Sequence, residues 1–546
     1  MIHRVLMRLL FTVSLFLAML YAGICLQGCA APNGDKVKAK VDDSVYKIID
    51  SKWQDSFGGR DNYRVSDAAS GPNDVQIDKA VPAGGILTLQ QAVSIATAHN
   101  RQYQLEKENL YAKALDLRLA RHQFEPILFG ATSAEYVKAR GGEAIEEKGS
   151  FGVQRMFATG ATVGANVALS WIDVLSGNAS GGLSQIFSFA ASQPLLRGSD
   201  PNVVLENLTQ AERDTLYQVR LFNRFRKAFV VEIITSYYQV LQAGDAVQNA
   251  RSNYDTLTGV YELAEKLAIA GRLPLYELDQ ARQDTLRASD DCLATQKLYE
   301  QALDEFKLVL SLPTEAKFAL DAKELQALRT SEMPMPVFSE TEAIETALAR
   351  RLDFANTADA IDDAQRKIIV ALDNLRPDLR LTAATQQKNS GVSDPVTLRK
   401  ARSTASVGAQ MDLNLDKLAA ENDYRSALLI IQQQRREYER MQDTVVLEVR
   451  KAYRDLAEAA DRYKVQSEAL FLARQRFNNT ITLLEYNRAN TRDVLDARKD
   501  LYNAQNAATA ALINYAIAML DFYRDVEIMQ VRPDGMWQNA FATSAK

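Results

Sequence analysis

Asp493 and Asp496 stand three residues apart at the start of an apolar-periodic run, so a helix there would carry both carboxylates on one face. Arg488 and Arg492 are the nearest basic residues in the chain. Carboxylates in this arrangement, repeated as rings in an oligomer, favour cations and repel anions in a pore. The plain alternative is a solvated helix start whose acids complement the helix dipole. Acid–base catalysis has little else to draw on. His3 lies in the cationic flank of an N-terminal apolar run, which leaves His99 and His122, and both read as polar helix surface. Cys292 falls on a helical seam as a small core residue. The sequence holds no His-Glu-x-x-His, no Gly-x-Ser-x-Gly, no phosphate-binding Gly-Lys-Ser loop and no dinucleotide glycine motif. The reading is of a non-enzyme, with no metal site and no cofactor.

The elements that must position these residues are legible from pattern. With 24% charged and 47% hydrophobic residues the composition is globular, and a net charge of -5 without a long basic stretch argues against a nucleic-acid partner. Helix is expected from Thr88 to about Gln123, and again from about 201 to 310 with a turn at Gly271-Arg272-Leu273-Pro274. Seams such as Ile233, Tyr237, Val240, Ala243 and Val247, or Val494, Ala497, Leu501 and Ala504, follow a spacing of about 3.5 residues, which is that of a coiled coil. Between these helices, about 124–195, Gly, Ser, Thr and aromatics replace Glu, Lys and Leu. Val163, Ala165, Val167, Leu169 and Trp171 alternate there with small or polar residues, as a membrane barrel wall requires.

The order then recurs. An offset of 251 maps Ala92, Ala96, Tyr103 and Pro126 onto Ala343, Ala347, Phe354 and Pro377. An offset of 216 maps Glu232, Tyr237, Ala281 and Tyr299 onto Glu448, Tyr453, Ala497 and Tyr515. The expected organisation is 1–28 signal peptide, 29–85 tether and irregular segment, 86–338 first copy with an irregular connector at 311–338, 339–530 second copy (strands about 377–415, helices about 417–524) and 531–546 tail. No apolar run of about 20 residues follows the signal, so a membrane crossing would have to be a β-barrel.

The N-terminus has a cationic start at His3, Arg4 and Arg8, an uncharged apolar run from Leu9 to Ile24, and then Leu26-Gln27-Gly28-Cys29. The last four residues resemble a bacterial lipobox. The resemblance implies cleavage before Cys29, diacylglycerol on its sulfur and an acyl chain on its amino group. Ala30 after it implies sorting to the outer membrane. With Cys25 removed and Cys29 lipidated, Cys292 has no partner for an intrachain disulfide.

Leu87-Thr-Leu-Gln-Gln-Ala92, Gln193-Pro-Leu-Leu-Arg-Gly198 and Asp493-Val-Leu-Asp-Ala497, taken with the recurring order, resemble the TolC family of outer-membrane efflux proteins over about residues 86–530. The fold class this implies is mainly α with a membrane β-barrel. It is a homotrimer in which each chain gives four strands to one twelve-stranded barrel, and a coiled-coil α-barrel crosses the periplasm. Strand-like residues beyond two pairs, about 151–171, are expected to form an extended extracellular hairpin. The resemblance further implies a passive export duct of a tripartite efflux pump or type I secretion system, working with a periplasmic membrane-fusion adaptor and an inner-membrane pump. The implied adaptor-contact tips are Gly271, Arg272 and Leu273 and, in the second copy, Asn487, Arg488 and Ala489. The implied periplasmic gate is Asp493, Asp496, Arg488 and Arg492. The family's usual Val-Gly-Leu or Val-Gly-Thr tip is matched at neither turn. A periplasmic coiled-coil adaptor or scaffold lipoprotein is the alternative, and it would lack the strand blocks.

Overall fold

The computed structural model describes residues 33–54, 57, 59–60, 62–65, 85–139, 142–177, 182–331, 339–390, 402–486, 488–532 and 537–539. Two compact units are distinguished, dividing after Ser51. The first contains helix α1, Gly34–Lys52, which begins with Asp35 and ends with Lys52, the charge order that suits a helix dipole. The expectation of a tether and irregular segment over 29–85 is corrected here. Val45, Ile48 and Ile49 recur at helical spacing within an otherwise charged stretch, and that short stripe was masked by the composition around it.

In the larger unit, strand β1 (Ile86–Leu87) leads into α2 (Leu89–His99) and α3 (Arg101–His122). Thr88 and Gln91 close a capping box over the start of α2, and Asn100 interrupts the expected single helix with an extended backbone. The same arrangement occurs 251 residues later. Ser339 and Glu342 cap α8 (Glu340–Arg350), and extended Arg351 separates it from α9 (Leu352–Asn374). Ala92 and Ala96, like Ala343 and Ala347, are fully buried where small residues let helices approach closely.

Two pairs of long helices follow the strand blocks. After the short α4 (Pro201–Val204), α5 (Glu206–Ile269) turns into α6 (Leu275–Val309). Likewise α10 (Leu418–Glu485) turns into α11 (Thr491–Asp525). With 64 and 68 residues, α5 and α10 are each about 100 Å long. They pack four abreast at two levels. Next to the sheet the order is α3, α5, α9, α10, and beyond it α10, α11, α5, α6. The seams behave as read: Tyr237, Leu257, Ala281, Ala288, Ala497, Leu501 and Phe522 are buried. The connector expected to be irregular contains strand β6 (Ala319–Leu320), paired in parallel with β1, and helix α7 (Lys323–Thr330). Leu325 and Leu328, three apart, give α7 its buried edge. Met529–Val531 pairs antiparallel with Trp537–Asn539.

The sheet departs from expectation. It has six antiparallel strands in the order β2 (Ile127–Ala139), β3 (Gly142–Met156), β4 (Thr162–Gly177), β5 (Gly182–Pro194), β7 (Asp378–Ser390) and β8 (Arg402–Asp412). The expected four strands per chain is therefore wrong: the first half supplies four strands and the second half two. The expected extended hairpin over 151–171 is also wrong. Residues 157–161 form a tight turn at the end of the sheet where the helices attach, and β3 and β4 on either side pair along their length with β2 and β5. Phe157 N–H donates to Ala161 O at 2.8 Å, and Gly160 takes φ 75°, a left-handed backbone that a side chain would strain. A β-carbon on Gly160 would also lie 2.3 Å from the carbonyl of Gly198. Thr-Gly between two alternating runs is a hairpin signal.

Candidate functional site: a two-faced sheet and two helical tips

The strand register sorts the sheet into two faces. Phe151 lies opposite Val167, and Val167 opposite Phe187. Val153, Ala165 and Phe189 form the neighbouring row. Leu128, Leu169, Trp171, Leu381, Val407 and Met411 share this face by alternation. Phe151 is 61% and Val407 78% exposed, so an apolar band is presented outward without a protein cover within the chain. The opposite face carries Ser150, Lys148, Asn166, Ser188, Thr382, Gln386, Gln410 and Thr404. One apolar face and one polar face, each continuous across six strands, is the pattern of a wall between lipid and water. Within the chain, β2 and β8 are the two edges of this sheet.

At the far ends of the helices, the first tip is a Schellman closure. Gly271, at φ 68°, donates to Ala268 O at 3.0 Å, and Arg272 N–H donates to Leu267 O at 2.9 Å. At the second tip Arg488 N–H donates to Leu483 O at 2.8 Å, the same relation 216 residues later. Asn487, expected at the left-handed position, lies outside the described residues. The far ends of α6 and α11 repeat the correspondence. Ser311 and Glu527 both have left-handed backbones, and Leu312 and Ile528 donate back to Lys307 and Tyr523.

The sequence-derived gate residues are all at the second tip, but they do different things. Asp493 belongs to a capping box: its N–H donates to Asn490 Oδ1 at 2.9 Å, and its carboxylate accepts the Asn490 N–H at 3.0 Å. Asp496 faces Arg492 at 4.0 Å, with both side chains more than half exposed. Arg488 is exposed and Ala489 half-buried. At the first tip Gly271 and Arg272 are exposed, and Leu273 is half-buried against the cluster around Leu257, Ala264 and Ala281. Sequence reasoning missed the apolar skin of this tip: Ile269 is 83% and Leu275 72% exposed, with Tyr276 and Tyr486 close behind. The signal was available, because all four sit beside turn residues and off the helical seam.

Three polar clusters, none read from the sequence, brace the helices. Arg498, buried, donates to Asn253 Oδ1 at 3.0 Å and Ser252 Oγ at 3.2 Å and lies over the Phe477 ring, so it touches α5, α10 and α11 together. Burial lowers its pKa from the ordinary arginine value. Arg329 on α7 donates to Asp245 Oδ2 at 2.9 Å and to Thr509 Oγ1 at 2.9 Å, fixing the connector across α5 and α11. Glu527 pairs with Lys227 at 2.6 Å and Arg224 at 3.0 Å. Arg224 reaches Asp353 at 3.1 Å, and Arg351 bridges Asp353 and Glu448. Burial opposes the charge of Asp353, yet Arg351 and Arg224 hold its carboxyl below the usual aspartate pKa. His122 is exposed, with Nδ1 at 3.0 Å from Glu125, while His99 is half-buried and its pKa is lowered by burial and by Lys107. Among the described residues there is no cluster of three metal-ligating side chains, and no helix is long and apolar enough to cross a membrane.

With this geometry in hand, the comparison with known proteins is direct. Residues 343–524 match the family model of the outer membrane efflux protein. The chain belongs to this family. Its fold is shared with solved channels at low identity. The open-state MtrE outer membrane channel of Neisseria gonorrhoeae is 15% identical with a TM-score of 0.58, covering 86% of this chain and 94% of that one. The CmeC outer membrane channel of Campylobacter jejuni is 15% identical with a TM-score of 0.57, covering 82% and 86%. The outer membrane protein VceC of Vibrio cholerae is 14% identical with a TM-score of 0.56, covering 80% and 95%. No curated protein matches the sequence. The chain is thus an outer-membrane efflux channel component, a member of a channel family and not of an enzyme family.

Proposed function

We propose that three copies of the chain close their sheets edge to edge into one outer-membrane barrel, and that their helices form a passive export duct across the periplasm. The observation that carries this reading is a single sheet with an apolar face, a polar face and two edges, β2 and β8, that no other strand of the described chain pairs. An open edge in lipid leaves backbone groups without hydrogen bonds at several kcal/mol each, so the sheet has to be closed by further copies. On this reading the chain is two copies of helix pair, strands and helix pair, with boundaries at 86–338 and 339–530. Cys29, outside the described residues, carries the lipid that anchors the chain to the outer membrane. An inner-membrane pump supplies the energy, and the duct serves a tripartite efflux or type I secretion machine through a periplasmic adaptor.

The tips are the adaptor's docking points: Gly271, Arg272 and Leu273 in one, and Asn487, Arg488 and Ala489 in the other, with the exposed Ile269 and Leu275 adding apolar area. Asp496, paired to Arg492, and Asp493, with Arg488 nearby, supply acidic rings at the periplasmic gate. Cross-linking tests the closure. In a Cys292→Ser chain, one cysteine is scanned along Ala131 to Glu135 of β2 against a second along Ser403 to Ala409 of β8. Covalent dimers and trimers on a non-reducing gel are expected at one register. Cross-links confined within one chain, or none at any register, would contradict edge-to-edge closure.

A further inference from the structure

The wall of six strands per chain carries a consequence for what the duct can pass. Tilted strands about 4.8 Å apart at about 40° take up about 6.3 Å of circumference each, so six span about 38 Å and four only about 25 Å. Four helices abreast, at about 8–10 Å each, span about 32–40 Å. Both helical levels of this chain are four helices wide. The six-stranded sheet therefore matches the arc of the helices beneath it, and a four-stranded one would not.

We propose that the hairpin β3–β4 widens the outer-membrane pore to the bore of the helical duct, and that the protein exports bulky hydrophilic solutes that a twelve-stranded barrel would exclude. This inference rests on the trimeric reading above. Three copies give eighteen strands and a backbone diameter of about 36 Å, against about 24 Å for twelve. Barrels of this strand number leave an aqueous channel. The hairpin is built as wall and not as appendage. Its turn at 157–161 lies at the helix end, where Thr159 Oγ1 and Gln193 Oε1 are 3.3 Å apart and Gln193 Nε2 donates to Thr159 O at 3.0 Å, tying it to the foot of β5. Both of its strands continue the two faces without a break: Phe151, Val153, Val167 and Leu169 on the apolar side, Ser150, Asn166 and Ala168 on the polar side. The polar face is lined by hydroxyls and amides, with Glu146 accepting from Ser170 at 3.2 Å, a surface suited to hydrated cargo.

The topology offers a clean removal. Deleting 142–177 joins β2 to β5 through a six-residue linker and keeps the antiparallel order, since β2 and β5 run in opposite directions. Neutral polyethylene glycols of graded size, added to the extracellular side of single channels in a planar bilayer, report the width of that entrance separately from any periplasmic constriction. The full chain is expected to admit polymers of about 20 Å hydrodynamic diameter, with the cut-off falling by about half in the deletion form. Equal cut-offs in two forms that both have trimer mass would overturn the proposal. A mass other than three chains in the full-length protein would instead remove the trimeric reading beneath it. If the deletion form does not assemble, full-length Ala168→Cys and Val167→Cys in a Cys292→Ser chain decide the matter. Labelling of position 168 alone by a water-soluble maleimide supports a hairpin in the wall, and equal labelling of both positions overturns it.

Discussion

The guanidinium of Arg498 donates to Asn253 Oδ1 at 3.0 Å across the seam between the two long hairpins. The bond is buried, and Arg498 continues onto the Phe477 ring of α10, so one side chain holds three helices near the tips. No carboxylate pairs with it there, and its charge is stabilised by amide and hydroxyl acceptors alone. Arg498→Ala is expected to weaken the contact between hairpins by about 1.5–3 kcal/mol. Amide exchange along α11 and the facing part of α5 should then accelerate by one to two orders of magnitude, while α3 and the sheet are unchanged. Uniform acceleration, or none, would show that Arg498 does not act as a local brace.

Lys107 gives a pH prediction. It is buried, donates to Thr97 O at 3.4 Å and lies 5.0 Å from the Tyr103 ring centroid; burial, reinforced by Arg226, lowers its pKa from 10.5 to about 8. Between these values the unfolded chain binds this proton and the folded chain does not, so stability rises with pH through that window. The cost of charging Lys107 is complete below pH 8. Lys107→Met should therefore raise thermal stability at pH 7 by about 1–3 kcal/mol and flatten the rise between pH 8 and 10.5. A variant with the parent's pH slope would contradict the assignment.

The cluster around Glu527 should behave as a buried ion network. Lys227→Met leaves Glu527 with Arg224 alone and is expected to cost about 3 kcal/mol, whereas adding Glu527→Gln should recover much of it. Thermal unfolding of the two variants checks this, and a double variant no more stable than the single one would count against pairing as the cause. The same network sets an acid limit. The pKa of Asp353 is depressed, so its stabilisation is present above the ordinary aspartate value and is lost as pH falls through the lower folded one. Asp353→Asn should remove part of that acid sensitivity.

The two acids of the second tip are separable because only one of them caps the helix. Asp496→Asn should change cation selectivity in single-channel recordings while leaving melting temperature in place. Asp493→Ala should also lower stability, by about 0.5–1 kcal/mol, through loss of the capping box. If neither variant alters selectivity or divalent-cation block, the acidic rings have no gating role.

Cys29→Ala should abolish lipid labelling and alter processing. Labelling that survives would refute lipidation at this residue.

Much of this architecture was legible in the residues. Periodicity of 3.5 marked the seams at Tyr237, Ala281 and Ala497, and alternation marked the wall at Val163–Trp171. Offsets of 251 and 216 aligned features that proved to share hydrogen bonds, as Arg272 to Leu267 and Arg488 to Leu483 do. The strand count was not recovered. β3 opens with Glu143, Glu146, Glu147 and Lys148, whose charge hides the alternation, and its turn at Thr159-Gly160 is short. The braces at Arg498, Asp245 and Glu527 were invisible because each depends on residues hundreds of positions apart meeting on neighbouring helices. Asp493 shows a further limit: a carboxylate suited by type to a pore ring is already partly committed to its own helix.

Closure of the sheet by further copies is the claim on which the rest depends, and the mass of the detergent-extracted protein tests it most directly. Native mass measurement should give three times the protomer mass, in a species that persists in SDS until heated. A stable monomer retaining its full β-content would contradict the account.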